Sequence, residues 1–270
     1  MKLIVTADDY AISNAVTDGI CKCAREGCLT ETGLFSNMDG AEYAVKRIKE
    51  YPHIALGEDI NLVAGRPVSD PKEIPTLVQP NGMFIDSGTH KEMDKINKHH
   101  ICYEDAYRET KNQVRRFIEL YGDKPAYIGG HAYGSDETNK ALEDVASEYE
   151  IPVSMKIFEK FGLASLNEMS IYFNFKKNEN GNFEFGETEQ LHSDPIKAFR
   201  EGKFKYLEEA LANNGVAHMH THAGFVDRDL CRRSTWTMIR MMEADFLCSE
   251  ELNSWIKENN VELISIRDLR

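Results

Sequence analysis

Two adjacent carboxylates, Asp8 and Asp9, close the apolar run in LIVTADDYAIS (residues 3–13), and Ser13 then gives a helix-start signal. Acids after a strand often do no more than cap the amides of the following helix. Here other runs end the same way. Asp59 lies late in IALGEDINL (54–62), His131 near the end of AYIGGHA (126–132), and His222 at the end of VAHMHTH (216–222). Carboxylate and imidazole together form a ligand set for a divalent cation, oxygen suiting harder ions and nitrogen suiting transition metals. With one acid on the ion, a second can take a proton from water, and a histidine can protonate a leaving group. That set of groups describes metal-assisted hydrolysis.

The residues must be carried to one place, and the spacing of short β-rich runs suggests how. Seven candidate strands, at 2–7, 29–36, 54–62, 126–132, 151–156, 216–222 and 261–266, alternate with amphipathic helical stretches, a pattern that points to a parallel sheet with crossover helices. The first helix should run from about Ser13 to Gly27, with the glycine in a left-handed cap. Another should span Tyr103–Tyr121 before Gly122. In a closed or nearly closed (β/α) barrel, all functional loops gather at the C-terminal strand ends, where Asp8, Asp9, Asp59, His131 and His222 fall. Loop signals crowd 63–100 and predict a lid or rim, and IYFNFKKNENGNFEFGE (171–187) reads as a hairpin turning at Asn-Gly. The expectation is one α/β domain over 1–270, a deformed barrel of about seven strands.

His218, His220 and His222 share a strand face by alternation. They offer either a three-histidine metal cluster, as in amidohydrolase-like enzymes, or one catalytic histidine with two interior neighbours. His99 and His100 fall in a polar loop and receive no role. Tyr10, Tyr133, Phe225 and Trp236 are candidates for stacking against a substrate.

Composition excludes several classes of partner. Lys+Arg 32 against Asp+Glu 45 gives a net charge of −13, which repels nucleic acid and anionic membrane surfaces and suits a neutral substrate. No apolar run approaches the ~20 residues of a membrane span, and the N-terminus lacks a secretory pattern, so a cytoplasmic protein is expected. Six cysteines, Cys21, Cys23, Cys28, Cys102, Cys231 and Cys248, show no disulfide framework and are expected to be reduced thiols; Cys21, Cys23 and Cys28 are a weak zinc-ligand alternative, core packing being favoured because Cys23 lies on a core-facing helical stripe.

Several motifs in order resemble the YdjC-like carbohydrate deacetylases. IVTADDYAIS resembles the family's ADDFG-type opening, IALGEDINLVAGRPVS its GLHLNL and GRPV segments, PAYIGGHAYG its DSHxH segment, and MHTHAGFVD its HPG motif; RMMEADFLCSEEL and ELISIRDL match its closing pattern. The resemblance implies a deformed barrel that removes acetyl groups from N-acetylated sugars or oligosaccharides. Residue by residue, it implies Asp8 as general base, Asp9 and His131 as metal ligands, and His222 as catalytic acid. Asp59 stands where the family has its ligand histidine, Gly129 where it has the aspartate of DSH, Tyr133 where it has the second histidine, and Ala223 where it has proline. A ligand set of Asp9, Asp59 and His131 carries two negative charges, which favours magnesium over zinc, with manganese also suited. A non-catalytic carbohydrate-binding or regulatory protein with a degenerate metal site is the rival reading. A homodimer is compatible with either.

Overall fold

The computed structural model describes residues 1–96, 100–163, 176–177, 183–184, 195–202 and 204–269. The first half alternates strand and helix: β1 (Lys2–Tyr10), α1 (Asn14–Glu26), β2 (Glu31–Leu34), α2 (Ala41–Ile48) and β3 (Ala55–Ile60). After α3 (Ser87–Lys95) come α4 (Tyr103–Tyr121), β4 (Ile128–Gly130), α5 (Asp136–Tyr149) and α6 (Ser154–Lys160). β5 (Lys176–Lys177) and β6 (Phe183–Glu184) pair antiparallel as the arms of the expected hairpin. Its Asn-Gly turn lies outside the described residues. β7 (Val216–Thr221) and β8 (Glu262–Leu263) complete the main sheet.

That sheet has six parallel strands in the order β4-β3-β2-β1-β7, with β8 also on β1. The expected closure into a seven-stranded barrel is not seen among the described residues, where the sheet stays open between β4 and β7. One reason is local. The run 151–156 makes a single bridge, Val153 to Ile128, then turns into α6 at Ser154; Pro152 has no N–H to extend a ladder.

β1 is central because its LIV core buries both faces. Leu3, Val5, Ala7 and Tyr10 pack with Val16, Ile20, Cys21, Cys23 and Ala24 of α1 and with Leu56 and Met219 of neighbouring strands. Ile4 faces the other way, toward Ala55, Tyr127, Phe158 and Ile266. Strict alternation would put Asp9 on the helix side with Leu3, Val5 and Ala7. It does not continue that far. Ala7 pairs with Thr32 but Tyr10 pairs with Leu34, so β1 carries one extra residue, and Asp9 takes φ +67°. This bulge, at a residue type that tolerates the left-handed region, re-aims the end of the strand.

α1 begins as expected, Ser13 accepting a hydrogen bond from the Val16 N–H. Its end corrects the expectation: Gly27 has φ −113°, not a left-handed value. Glycine is needed there because a Cβ would stand 2.6 Å from the Leu247 carbonyl oxygen. Gly122 does end α4 in the left-handed region, at φ +93°. The 63–100 insertion docks on α4 through polar side chains: Glu109 accepts from the Val68 and Ser69 N–H groups, each at 2.9 Å, and Asp105 from the Thr76 N–H. No helix among the described residues is long and apolar enough to cross a membrane.

Gly33 lets the site fit over the sheet, since a Cβ at this position would stand 2.1 Å from the Asp59 carboxylate. Gly33→Ala is expected to destabilise the chain by about 1–3 kcal/mol through overpacking, read as a lower urea midpoint. An unchanged midpoint would mean that Asp59 does not pack over this strand.

Candidate active site

The charged rim is built from β1, β3, β4 and β7. Parallel pairing sets Thr6 opposite His220 and Ala7 opposite Thr221, so Asp8 emerges beside the end of β7. His220 Nε2 lies 2.6 Å from Asp8 Oδ2. The His220 and His222 rings stand 5.0 Å apart. Asp8, His220 and His222 each offer a donor atom within 4.8 Å of the others. Burial opposes charge on both members of the first pair. Their mutual attraction wins, holding Asp8 below the usual carboxylate range and raising His220 to about 9.

Asp9, turned by the bulge, meets different partners. One carboxylate oxygen pairs with the guanidinium of Arg240, and the other lies 3.2 Å from His131 Nδ1. Arg240 and Asp9 are 1% and 4% exposed in their side chains. Arg240 is oriented further by donating Nε–H to the Trp236 carbonyl at 2.8 Å and Nη1–H to the His222 carbonyl at 3.4 Å. Burial pushes the Asp9 carboxyl upward, but Arg240, then His131, hold it far below its ordinary value. Glu243, one helical turn beyond Arg240, accepts the His222 backbone N–H at 2.7 Å.

Asp59 is buried, with one carboxylate oxygen lacking a hydrogen-bond partner. Burial first, and then the charges of Asp8, Asp9 and Glu58, push its carboxyl well above the usual range. His222 also has a buried nitrogen without a partner, and burial depresses its ring to about 4. His218 points deeper: its Nε2 is 2.9 Å from Thr6 Oγ1, which donates to Glu31 at 2.9 Å. Burial lowers His218 to about 3 and raises Glu31 to about 7.

The expected site residues are therefore distributed unevenly. Asp8 and His222 come together with His220, which the sequence offers either as part of a three-histidine metal cluster or as an interior neighbour of one catalytic histidine. Asp9 and His131 pair with each other. Asp9, Asp59 and His131 do not form a three-donor group within 4.8 Å among the described residues. Tyr10 is a correction: it is fully buried, donates to the Ala44 carbonyl at 2.9 Å, and cannot face a substrate. The bulge sends it into the helix-side core. Trp236 stands 5.5 Å from the His222 ring, Phe225 is exposed in the loop after β7, and Tyr133 stacks on His90 at 4.7 Å beyond His131. Arg240 and Glu243 were missed as site residues. Their signal was two charges on the same helical face as the apolar Ile239, Ala244 and Leu247.

The model of the YdjC-like protein family matches residues 2–258. The chain is 30% identical over 259 residues to a carbohydrate deacetylase of Oceanobacillus iheyensis, covering 95% of this chain and all of that protein. It is 27% identical over 271 residues to one of Clostridium beijerinckii, covering both in full. A crystal structure of a cellobiose-phosphate cleavage protein from Enterococcus faecalis superposes with a TM-score of 0.74 at 20% identity, over 99% of this chain and 98% of that one. With this motif order over nearly all its length, the chain belongs to the YdjC-like family.

Removing the guanidinium from Asp9 would strand a buried carboxylate, which costs about 3–5 kcal/mol. Arg240→Met is expected to lose that much stability at neutral pH in urea titrations. Asp9 has a depressed folded-state pKa, so its contribution is present above the ordinary carboxylate range and fades as pH falls below it. The gap between the two proteins should narrow from pH 7 to pH 3. A gap independent of pH would show that the pair is not what the mutation disrupts.

Proposed function

We propose that the chain is a carbohydrate deacetylase that hydrolyses the acetamido group of an N-acetylated sugar or short oligosaccharide with a divalent ion as cofactor. The relatives carry that name. The observation that carries the reading here is the gathering of Asp8, Asp9, His131, His220 and His222 at one end of the sheet. The residues fit a cation, because carboxylate and imidazole donors lie within reach of one another and a buried oxygen of Asp59 and nitrogen of His222 lack partners. When bound, such an ion supplies Lewis acidity toward a carbonyl oxygen and toward water.

The chain's own groups divide the remaining work. In the arrangement carried over from the family motifs, Asp9, Asp59 and His131 hold the ion, Asp8 accepts the proton of the attacking water, and His222 protonates the departing amine. The pairing of Arg240 with Asp9 favours a second division. In it, Asp9 serves to orient His131, whose ring is 20% exposed in its side chain, and the proton passes through that imidazole, as in other carboxylate-oriented bases. Trp236 and Phe225 supply apolar faces for a sugar ring beside His222, and the acidic surface admits a neutral substrate.

Acetate release from N-acetylglucosamine oligomers tests the activity. It should stop on chelation and return with magnesium, manganese or zinc. No release from any oligomer by folded, ion-loaded protein would leave the carbohydrate-binding reading in its place. Trp236→Ala should raise KM about tenfold, the loss of one stacking contact of about 1.4 kcal/mol, with kcat changed less. An unchanged KM would remove Trp236 from the sugar site.

A further inference from the structure

We infer that Tyr127 is a positioning residue of the ion site, its buried hydroxyl donating to the Asp59 carboxylate from beneath the rim and leaving that carboxylate's other oxygen for the ion. The inference deepens the deacetylase reading, and it rests on the arrangement in which Asp9, Asp59 and His131 hold the ion.

The two side chains meet over glycines. Gly33 of β2 pairs with Gly57 of β3, and strand alternation puts Gly57 and Asp59 on one face of β3. A Cβ added at Gly57 would stand 2.3 Å from Tyr127 Cζ, and one added at Gly33 would stand 2.1 Å from the carboxylate carbon of Asp59. The far end of the phenol ring and the carboxylate therefore lie side by side, over paired positions of strands that run about 4.8 Å apart. Direction agrees with position. Tyr127 enters from the β4 side, its carbonyl accepting the Glu58 N–H at 2.9 Å. An oxygen beyond Cζ thus points across β3 toward β2, where the Asp59 carboxylate lies over Gly33.

Hydrogen bonding leaves one acceptor for it. Tyr127 is 3% exposed, and its hydroxyl has no hydrogen-bond partner among the described residues. The acids whose charges bear on it are Glu31, Asp59 and Asp8. Glu31 is satisfied, one oxygen by the Thr6 hydroxyl and the other by the Ile266 N–H. Asp8 is engaged by His220. Asp59 keeps a buried oxygen without a partner. A donor lacking an acceptor thus stands beside an acceptor lacking a donor, and leaving either unmade in a buried setting is costly.

Ion binding gives the pair its use. A carboxylate that holds an ion through one oxygen is oriented by a donor on the other, and a phenol, protonated at neutral pH, is such a donor. The glycines at 33 and 57 make room for both side chains, so the sheet surface itself is shaped for this contact.

Tyr127→Phe removes the hydroxyl and keeps the ring over Gly57. Calorimetric titration of the ion-free full chain with zinc and with manganese should show binding weakened about 10–100-fold from the parent. The ion-free melting temperature should hold or rise, because a buried hydroxyl without a partner has been taken away. A hydroxyl that served only the fold would lower stability as well as binding. Asp59→Asn should lose the ion at least as fully as Tyr127→Phe. A Tyr127→Phe protein that melts lower when ion-free, or that binds as tightly as the parent while Asp59→Asn does not, overturns the inference and leaves the ion site standing. A parent that binds no ion, or an Asp59→Asn protein that binds as tightly as the parent, refutes the ligand arrangement itself and the role of Tyr127 with it.

Discussion

The buried ion pair between Asp9 and Arg240 organises this molecule's working end. It joins the first strand to a helix formed more than two hundred residues later. It can form only because β1 takes an extra residue, with Asp9 in the left-handed region. Backbone of that kind costs on the order of 1–3 kcal/mol and persists where surrounding contacts over-determine it. Arg240 supplies those contacts. By also grasping the carbonyls of Trp236 and His222, it sets the loop after β7 against the loop after β1. The loop after β4 shows a similar turn, Ala132 having φ +57° beside His131. Left-handed, non-glycine backbone thus occurs at two of the four strand ends that form the rim.

Polarity is graded along the face of the sheet away from α1. At the base, Ile4, Ala55, Tyr127 and Phe158 form a dry cluster. One step higher, Thr6 links His218 to Glu31, and the Ile266 N–H donates to the other oxygen of Glu31 at 2.8 Å. Higher still are Asp8, Asp59 and His220. Such layers are expensive unless their hydrogen bonds are satisfied. The middle layer is largely satisfied within the chain, which anchors β7 to β1 and β2. The top layer keeps unpartnered atoms on Asp59 and His222, where a cation and a substrate would complete it.

The elements that depend on short-range pattern were legible: β1, the Ser13 cap, the α4 stripe and the gathering of ionisable groups at strand ends. What escaped reading depends on distant partners. Nothing in LIVTADDYAIS announces a one-residue bulge, so Tyr10 reads as rim when its hydroxyl in fact reaches the Ala44 carbonyl in the core. Arg240 looks like an ordinary surface charge on a helix until Asp9 arrives beside it. Gly27 resembles a left-handed cap because the close passage of the Leu247 carbonyl cannot be inferred locally. The run 151–156 has strand-forming residues, yet Pro152 and the start of α6 limit it to one bridge. His220 was visible as one of three alternating histidines. Only the register between β1 and β7 distinguishes it from His218, which turns to Thr6.

The account's central claim is positional: the proposed ion sits on the rim at the ends of β1, β3, β4 and β7, beside the buried Asp9–Arg240 pair. Crystals of the protein grown with zinc, measured on both sides of the metal's absorption edge, locate the ion directly by anomalous scattering. The account predicts one peak within the rim that carries Asp8, Asp9, Asp59, His131, His220 and His222, with the Asp9–Arg240 pair intact. A peak away from this rim, or one that displaces Arg240 from Asp9, would contradict it.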